Sequence, residues 1–161
     1  MSRAFPLTIL AVAAVSITTV NAQSDSPLSK ASALHQRLDR LQLSHSPSEQ
    51  ISLYADDVVI SSPEHTLVKG KKSALALLQS QSRPLRVIAF HSSVEQAWSS
   101  GDMLFDTGTA EMRVESSSHG VLRDPVAYFI VWQRDASGDY KVKRVIWNLS
   151  APAPQDLITA R

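Results

Sequence analysis

Two side chains carry the pattern that proton transfer needs. On a predicted strand over 85–98, His91 shares a face with Val87, Ala89 and Ser93. On the next, over 103–115, Asp106 shares a face with Leu104, Gly108, Ala110 and Met112. An imidazole and a carboxylate among apolar neighbours can exchange protons near neutral pH, because burial raises the pKa of a carboxylate. His91 and Asp106 are therefore the candidate catalytic residues. Both also admit ordinary roles: His91 as a core or rim histidine satisfied by a backbone carbonyl, Asp106 as a sheet-edge residue near the Gly101 turn. A bulge at Ser92-Ser93 would swap His91 with its neighbours.

Tyr54, Tyr128, Trp132 and Trp147 are the candidate pocket-lining residues, the tyrosines through their hydroxyls and the tryptophans by packing that shapes a cavity. Asp56 and Asp57 fall where a helix gives way to a strand and suit backbone capping better than an acid pair. Glu64 and His65, in a turn, join His91 and Asp106 as conceivable metal ligands. No recognised ligand spacing supports that set, so neither a metal nor another cofactor is expected. The sequence holds no Ser-His-Asp motif, phosphate-binding glycine loop or dinucleotide fingerprint. It also holds no cysteine, which excludes thiol nucleophiles, cysteine metal sites and disulfides.

The elements that must position these groups centre on residues 124–148, where two aromatic and β-branched runs flank Ala136-Ser137-Gly138-Asp139. That is the strongest hairpin signal in the chain. Ahead of it, residues 85–98 and 103–115 form a second hairpin about Ser99-Ser100-Gly101-Asp102. Further upstream the period changes. Ala31, Leu34, Leu38 and Leu41 make one apolar helical stripe from Ser29 onward. Ser46-Pro47-Ser48-Glu49 starts a short second helix carrying Ile51, Leu53 and Tyr54. Val58-Val59-Ile60 and Thr66-Leu67-Val68 form a small hairpin, and a third helix spans 71–80. Helices, a short hairpin, then four long antiparallel strands define an α+β fold: a twisted sheet wrapped over helices with a concave mouth.

At 161 residues and 43% hydrophobic content the chain suits one domain with a sizeable core. Residues 1–22 form a separate text: Arg3, an apolar run from Phe5 to Val20, then Val20-Asn21-Ala22 as a small-x-small cleavage site. This is the pattern of a secretory signal peptide, placing the mature protein in a secreted or periplasmic setting with no membrane attachment after cleavage. An uncleaved anchor is the alternative, since the run approaches the length of a bilayer span. Residues 23–28 are expected to be a disordered leader, 29–149 the domain and 150–161 a loose tail. Removing 1–22 removes one basic residue and leaves 15 of each sign, a neutral balance that argues against nucleic acid as a partner. Asn148-Leu149-Ser150 is formally a glycosylation sequon.

In order along the chain, Tyr54-Ala55-Asp56-Asp57-Val58-Val59-Ile60 and Val68-Lys69-Gly70-Lys71 resemble the opening of SnoaL-like proteins of the nuclear transport factor two-like superfamily. Ser100-Gly101-Asp102, Thr107-Gly108-Thr109, Phe129 to Arg134 and Arg144-Val145-Ile146-Trp147-Asn148 resemble its later landmarks. The resemblance implies a cone-shaped α+β barrel, usually dimeric through the outer face of the sheet. It also implies functions ranging from small-molecule isomerases, cyclases, dehydratases and hydrolases to binding and assembly domains without catalysis. Relatives ending in the same way carry an aspartate where this chain has Val145. The expectation is a domain that binds a small, largely apolar molecule in its cone. Its rivals are an enzyme using His91 and Asp106, or a dimeric interaction module.

Overall fold

A computed structural model describes residues 26–63, 65–82, 85–116 and 120–149. The signal-peptide and tail expectations, with residues 23–25 of the leader, lie outside them. Three α-helices, α1 (Pro27–Leu43), α2 (Pro47–Gln50) and α3 (Lys71–Gln81), pack on a sheet of six strands. The strands are β1 (Tyr54–Ser62), β2 (His65–Lys69), β3 (Leu85–Ser100), β4 (Met103–Ser116), β5 (Gly120–Arg134) and β6 (Tyr140–Leu149). The sheet is curved and unclosed, in the order β2-β1-β6-β5-β4-β3. Among the described residues no helix is long and apolar enough to cross a membrane.

Local chemistry accounts for the boundaries. Ser26 caps α1 by accepting from Ser29 N, with Pro27 in the first turn, so the helix begins ahead of the expected Ser29. Ser46 and Pro47 start α2 the same way, with Glu49 N donating to Ser46 Oγ. A single 3-10 turn, Ile51–Leu53, then feeds β1. Tyr54, expected on the helix, instead opens the strand, because it pairs with Val142 of β6. Asp56 and Asp57 consequently lie on β1, not at a helix end, and pair at the surface with Lys71 and Lys143. Such exposed pairs are screened by solvent and contribute little to stability.

β3 to β6 form the expected antiparallel meander, while β1 joins β6 in parallel. On β4 strict alternation sends Leu104, Asp106, Gly108 and Ala110 to the concave face, all buried, as expected. On β3 the register shifts between Val87 and Ala89 and again between Val94 and Gln96. The first bulge puts Val87, Phe90, Ser92 and Val94 inside and leaves Ala89, His91 and Ser93 outside. The predicted face of β3 is therefore divided, with the break at Ile88 and not at Ser92-Ser93.

The interior is built by Leu53, Val58, Leu104, Trp132 and Val142, each at most 1% exposed, with Tyr54, Ile60, Val126, Tyr128 and Ile130 around them. Helix α1 lies along β3 and closes that edge of the sheet. There Asp39 accepts from Ser92 N at 3.1 Å, occupying a backbone donor that an edge strand otherwise offers to strangers.

Candidate functional site

The inner face of the sheet meets α1 in a buried polar cluster. His35, on the same stripe as Ala31 and Leu38, is 2% exposed, and Asp106 is 0% exposed. His35 Nε2 lies 2.8 Å from Asp106 Oδ1, and His35 Nδ1 lies 2.9 Å from Ser92 Oγ. The other Asp106 oxygen accepts from Trp132 Nε1, and Ser92 Oγ donates to Asp39 Oδ1. Tyr128 stacks on the imidazole with centroids 4.7 Å apart, and Trp132 meets its edge at 5.8 Å. The Tyr128 hydroxyl donates to Ser93 O at 3.1 Å.

The directions of these bonds follow from counting protons. Ser92 has one hydroxyl hydrogen and gives it to Asp39, so its lone pair must accept from His35 Nδ1–H. Indole Nε1 can only donate, so Asp106 Oδ2 must accept. One proton is then shared between His35 Nε2 and Asp106 Oδ1. Ser92, His35 and Asp106 stand in the order of a nucleophile, a base and an orienting acid. The Ser92 proton, however, is held by Asp39 and not by the imidazole, so the serine is not set up as a nucleophile. Every polar atom of the cluster is engaged by another member, which is how a buried network rigidifies a core.

The candidate catalytic residues do not meet. Asp106 sits inside, as its alternation implies. The His91 side chain is 79% exposed on the other side of β3, where its Nδ1 lies 3.6 Å from Asp39 Oδ2. The bulge at Ile88 is the cause, and it also rules out His91 and Asp106 sharing a metal; Glu64 lies outside the described residues. His35 takes the place beside Asp106 that the sequence offered to His91. Its signal was legible: a histidine four residues after Ala31 and three before Leu38 lies on an apolar helix face.

Of the four candidate lining residues, Tyr54, Tyr128 and Trp132 are buried, and Trp147, opposite Tyr128 on β6, is half-buried on the same inner face. Tyr128 and Trp132 serve the cluster directly. Burial pushes the Tyr54 hydroxyl up to about 12, and burial together with Asp106, Asp39 and Glu95 raises that of Tyr128 further. A tyrosine whose folded pKa is raised keeps its proton longer in the folded state, so it loses stability as pH climbs from 10 toward 12. Tyr54→Phe is expected to remove a fall of roughly 3 kcal/mol from this alkaline limb. Urea unfolding between pH 9 and 12 checks it; identical limbs in both proteins would contradict it.

A separate open cleft of about 510 Å³ lies between α1 and α2, lined by Arg37, Arg40, Leu41, Ser48, Glu49 and Ser52. None of the candidate residues lines it.

With the sheet, its covering helices and the inner cluster placed, comparison with known structures shows which fold this is. A ketosteroid isomerase-like protein of Erwinia carotovora atroseptica superposes with TM-score 0.69 at 16% identity, covering 80% of this chain and 100% of that one. An NTF2-like protein of Cytophaga hutchinsonii superposes at 0.60 with 19% identity, covering 74% and 97%. A calcium/calmodulin-dependent protein kinase II association domain of Xanthomonas campestris superposes at 0.64 with 12% identity, covering 77% and 88%. No protein-family model and no curated protein matches the sequence. The chain has the same α+β cone fold as these structures, the fold its motifs implied. At these identities the likeness carries the fold and not the activity.

Proposed function

We propose that this is an exported domain that holds a small, largely apolar molecule against the concave face of its sheet, and that binding rather than turnover is its function. One observation carries this reading. The inner face is apolar and aromatic, with Phe90, Val126 and Trp147 leading toward a polar cluster whose donors and acceptors already satisfy one another. Asp106, the carboxylate best placed to act as a base, has both oxygens engaged by protein partners, Oδ1 by His35 Nε2 and Oδ2 by the Trp132 indole N–H. A thermal-shift panel of apolar compounds tests it. At about a hundredfold excess over Kd a true ligand raises Tm by roughly 10 °C; a panel with no shift contradicts the reading. Export rests on residues 1–22 and predicts a mature chain beginning at Gln23 outside the cytoplasm.

Two rival readings keep a specific observation each. Proton transfer is favoured by the buried His35–Asp106 pair, which brings an imidazole to the carboxylate as an isomerase, cyclase or lyase would need. Self-association is favoured by the outer face, where Trp98 stacks on Phe105 at 5.7 Å and approaches Phe129, with Ile146 alongside. Trp98 is 44% and Ile146 46% exposed. Light scattering is expected to find a dimer that the double change Trp98→Ser, Ile146→Asp converts to monomer. A monomer before mutation, even at high concentration, would remove this reading.

A further inference from the structure

Ser62 breaks the inner-face pattern of β1. Val58 and Ile60 are buried in the core; the β1–β2 register shifts between Ile60 and Ser62, and beyond that shift the serine still has its hydroxyl buried. Its Oγ is buried from solvent and has no hydrogen-bond partner, the one such side-chain atom found among the described residues. A hydroxyl rotates freely and normally finds a carbonyl, so a buried one without a partner calls for an explanation. Its position supplies one. Ser61 pairs with Ile146 of β6, so the inner residue of β6 beside Ser62 is Trp147, which in turn faces Tyr128 of β5. The free hydroxyl therefore lies in one row with the half-buried indole and the tyrosine that covers His35. Trp147 and Tyr128 present flat apolar surface in that row. The hydroxyl of Tyr128 is committed to Ser93 O, leaving the Ser62 hydroxyl and the Trp147 indole N–H as the groups of the row with hydrogen-bonding capacity to spare, and of these the Ser62 hydroxyl is the buried one.

We propose that Ser62 Oγ is the polar contact for the bound molecule, which is a largely apolar skeleton bearing a carbonyl or hydroxyl oxygen at one end. The molecule lies on Trp147 and meets Ser62 through that oxygen. This rests on the concave-face reading above and adds to it the residue that selects among apolar ligands. A site that reads one oxygen discriminates more sharply than apolar packing alone, because a ligand lacking the oxygen leaves the buried hydroxyl unpaired.

The test uses tetralin, its ketone α-tetralone and its alcohol α-tetralol, with the full mature chain and its Ser62→Ala variant. Wild-type protein is expected to bind the ketone or the alcohol about tenfold more tightly than tetralin, and the variant to lose that preference while binding tetralin as before. Preference for the ketone identifies Ser62 as donor; equal preference for both identifies an oxygen contact of either direction. Without ligand, the variant is expected to melt no lower than wild type, since it loses an unpaired hydroxyl. A lower midpoint would mean that the hydroxyl has a structural partner, and would overturn the proposal. Equal oxygen preference in both proteins would overturn the role of Ser62 while leaving concave-face binding intact. Failure of all three compounds to bind either protein would overturn both.

Discussion

Asp106→Ala is expected to cost about 3–5 kcal/mol, the range for breaking a buried charged or hydrogen-bonded pair by removing one partner. Two buried groups lose their partner at once: His35 Nε2, which shares a proton with Asp106 Oδ1 at 2.8 Å, and Trp132 Nε1, which donates to Oδ2. Both are buried, so water does not replace the carboxylate, and the void left behind adds to the penalty. The same proton count predicts a much milder Asp106→Asn. The amide oxygen can accept from Trp132, and the amide nitrogen can donate to His35 Nε2, because His35 already presents its Nδ1 proton to Ser92. That variant is expected to lose only about 1–2 kcal/mol. Urea unfolding of the three proteins at neutral pH compares them. If the amide proves as damaging as alanine, the cluster needs a charged imidazole facing a carboxylate, and the proton-transfer reading gains at the expense of binding.

Gly108→Ala is the second large effect. A Cβ there would lie 2.0 Å from Ser93 O and 2.7 Å from the Tyr128 hydroxyl. The first of these is backbone, so β3 and β4 must separate where Val94 pairs with Gly108, and the Tyr128–Ser93 hydrogen bond is lost with them. Ordinary overpacking costs about 1–3 kcal/mol. Here the obstacle cannot rotate away, so the loss is expected to exceed that range, with Tyr128 no longer held over His35. Gly138→Ala is the control. Gly138 has φ of 89° but nothing within 4 Å of its added Cβ, so only backbone strain of about 1–2 kcal/mol is expected. Similar losses at the two glycines would contradict the close approach.

Much of this arrangement was legible in the residues. Period-two alternation placed Leu104, Asp106, Gly108 and Ala110 on one face because β4 is a central strand with unbroken pairing on both sides. The same rule failed on β3, an edge strand free to bulge, where one extra residue at Ile88 moved His91 from the inside to solvent. Bulges are set by how a strand bends around its helix, which local periodicity does not encode. The start of β1 was missed for a similar reason: Tyr54 continues a helical pattern, and only its pairing with Val142 makes it a strand. His35 was visible as a polar residue on an apolar stripe. Its partners were not, since contacts across 57 and 71 residues depend on the folded sheet.

The chain has three tryptophans, and each stands in a different environment: Trp98 on the outer face, Trp132 in the buried cluster and Trp147 on the inner face. Their indole N–H signals in a proton–nitrogen correlation spectrum therefore report three places at once. Titration with tetralin is predicted to move the Trp147 signal and leave that of Trp98 unchanged. Movement of Trp98 alone would put the apolar site on the outside of the sheet and contradict binding in the cone.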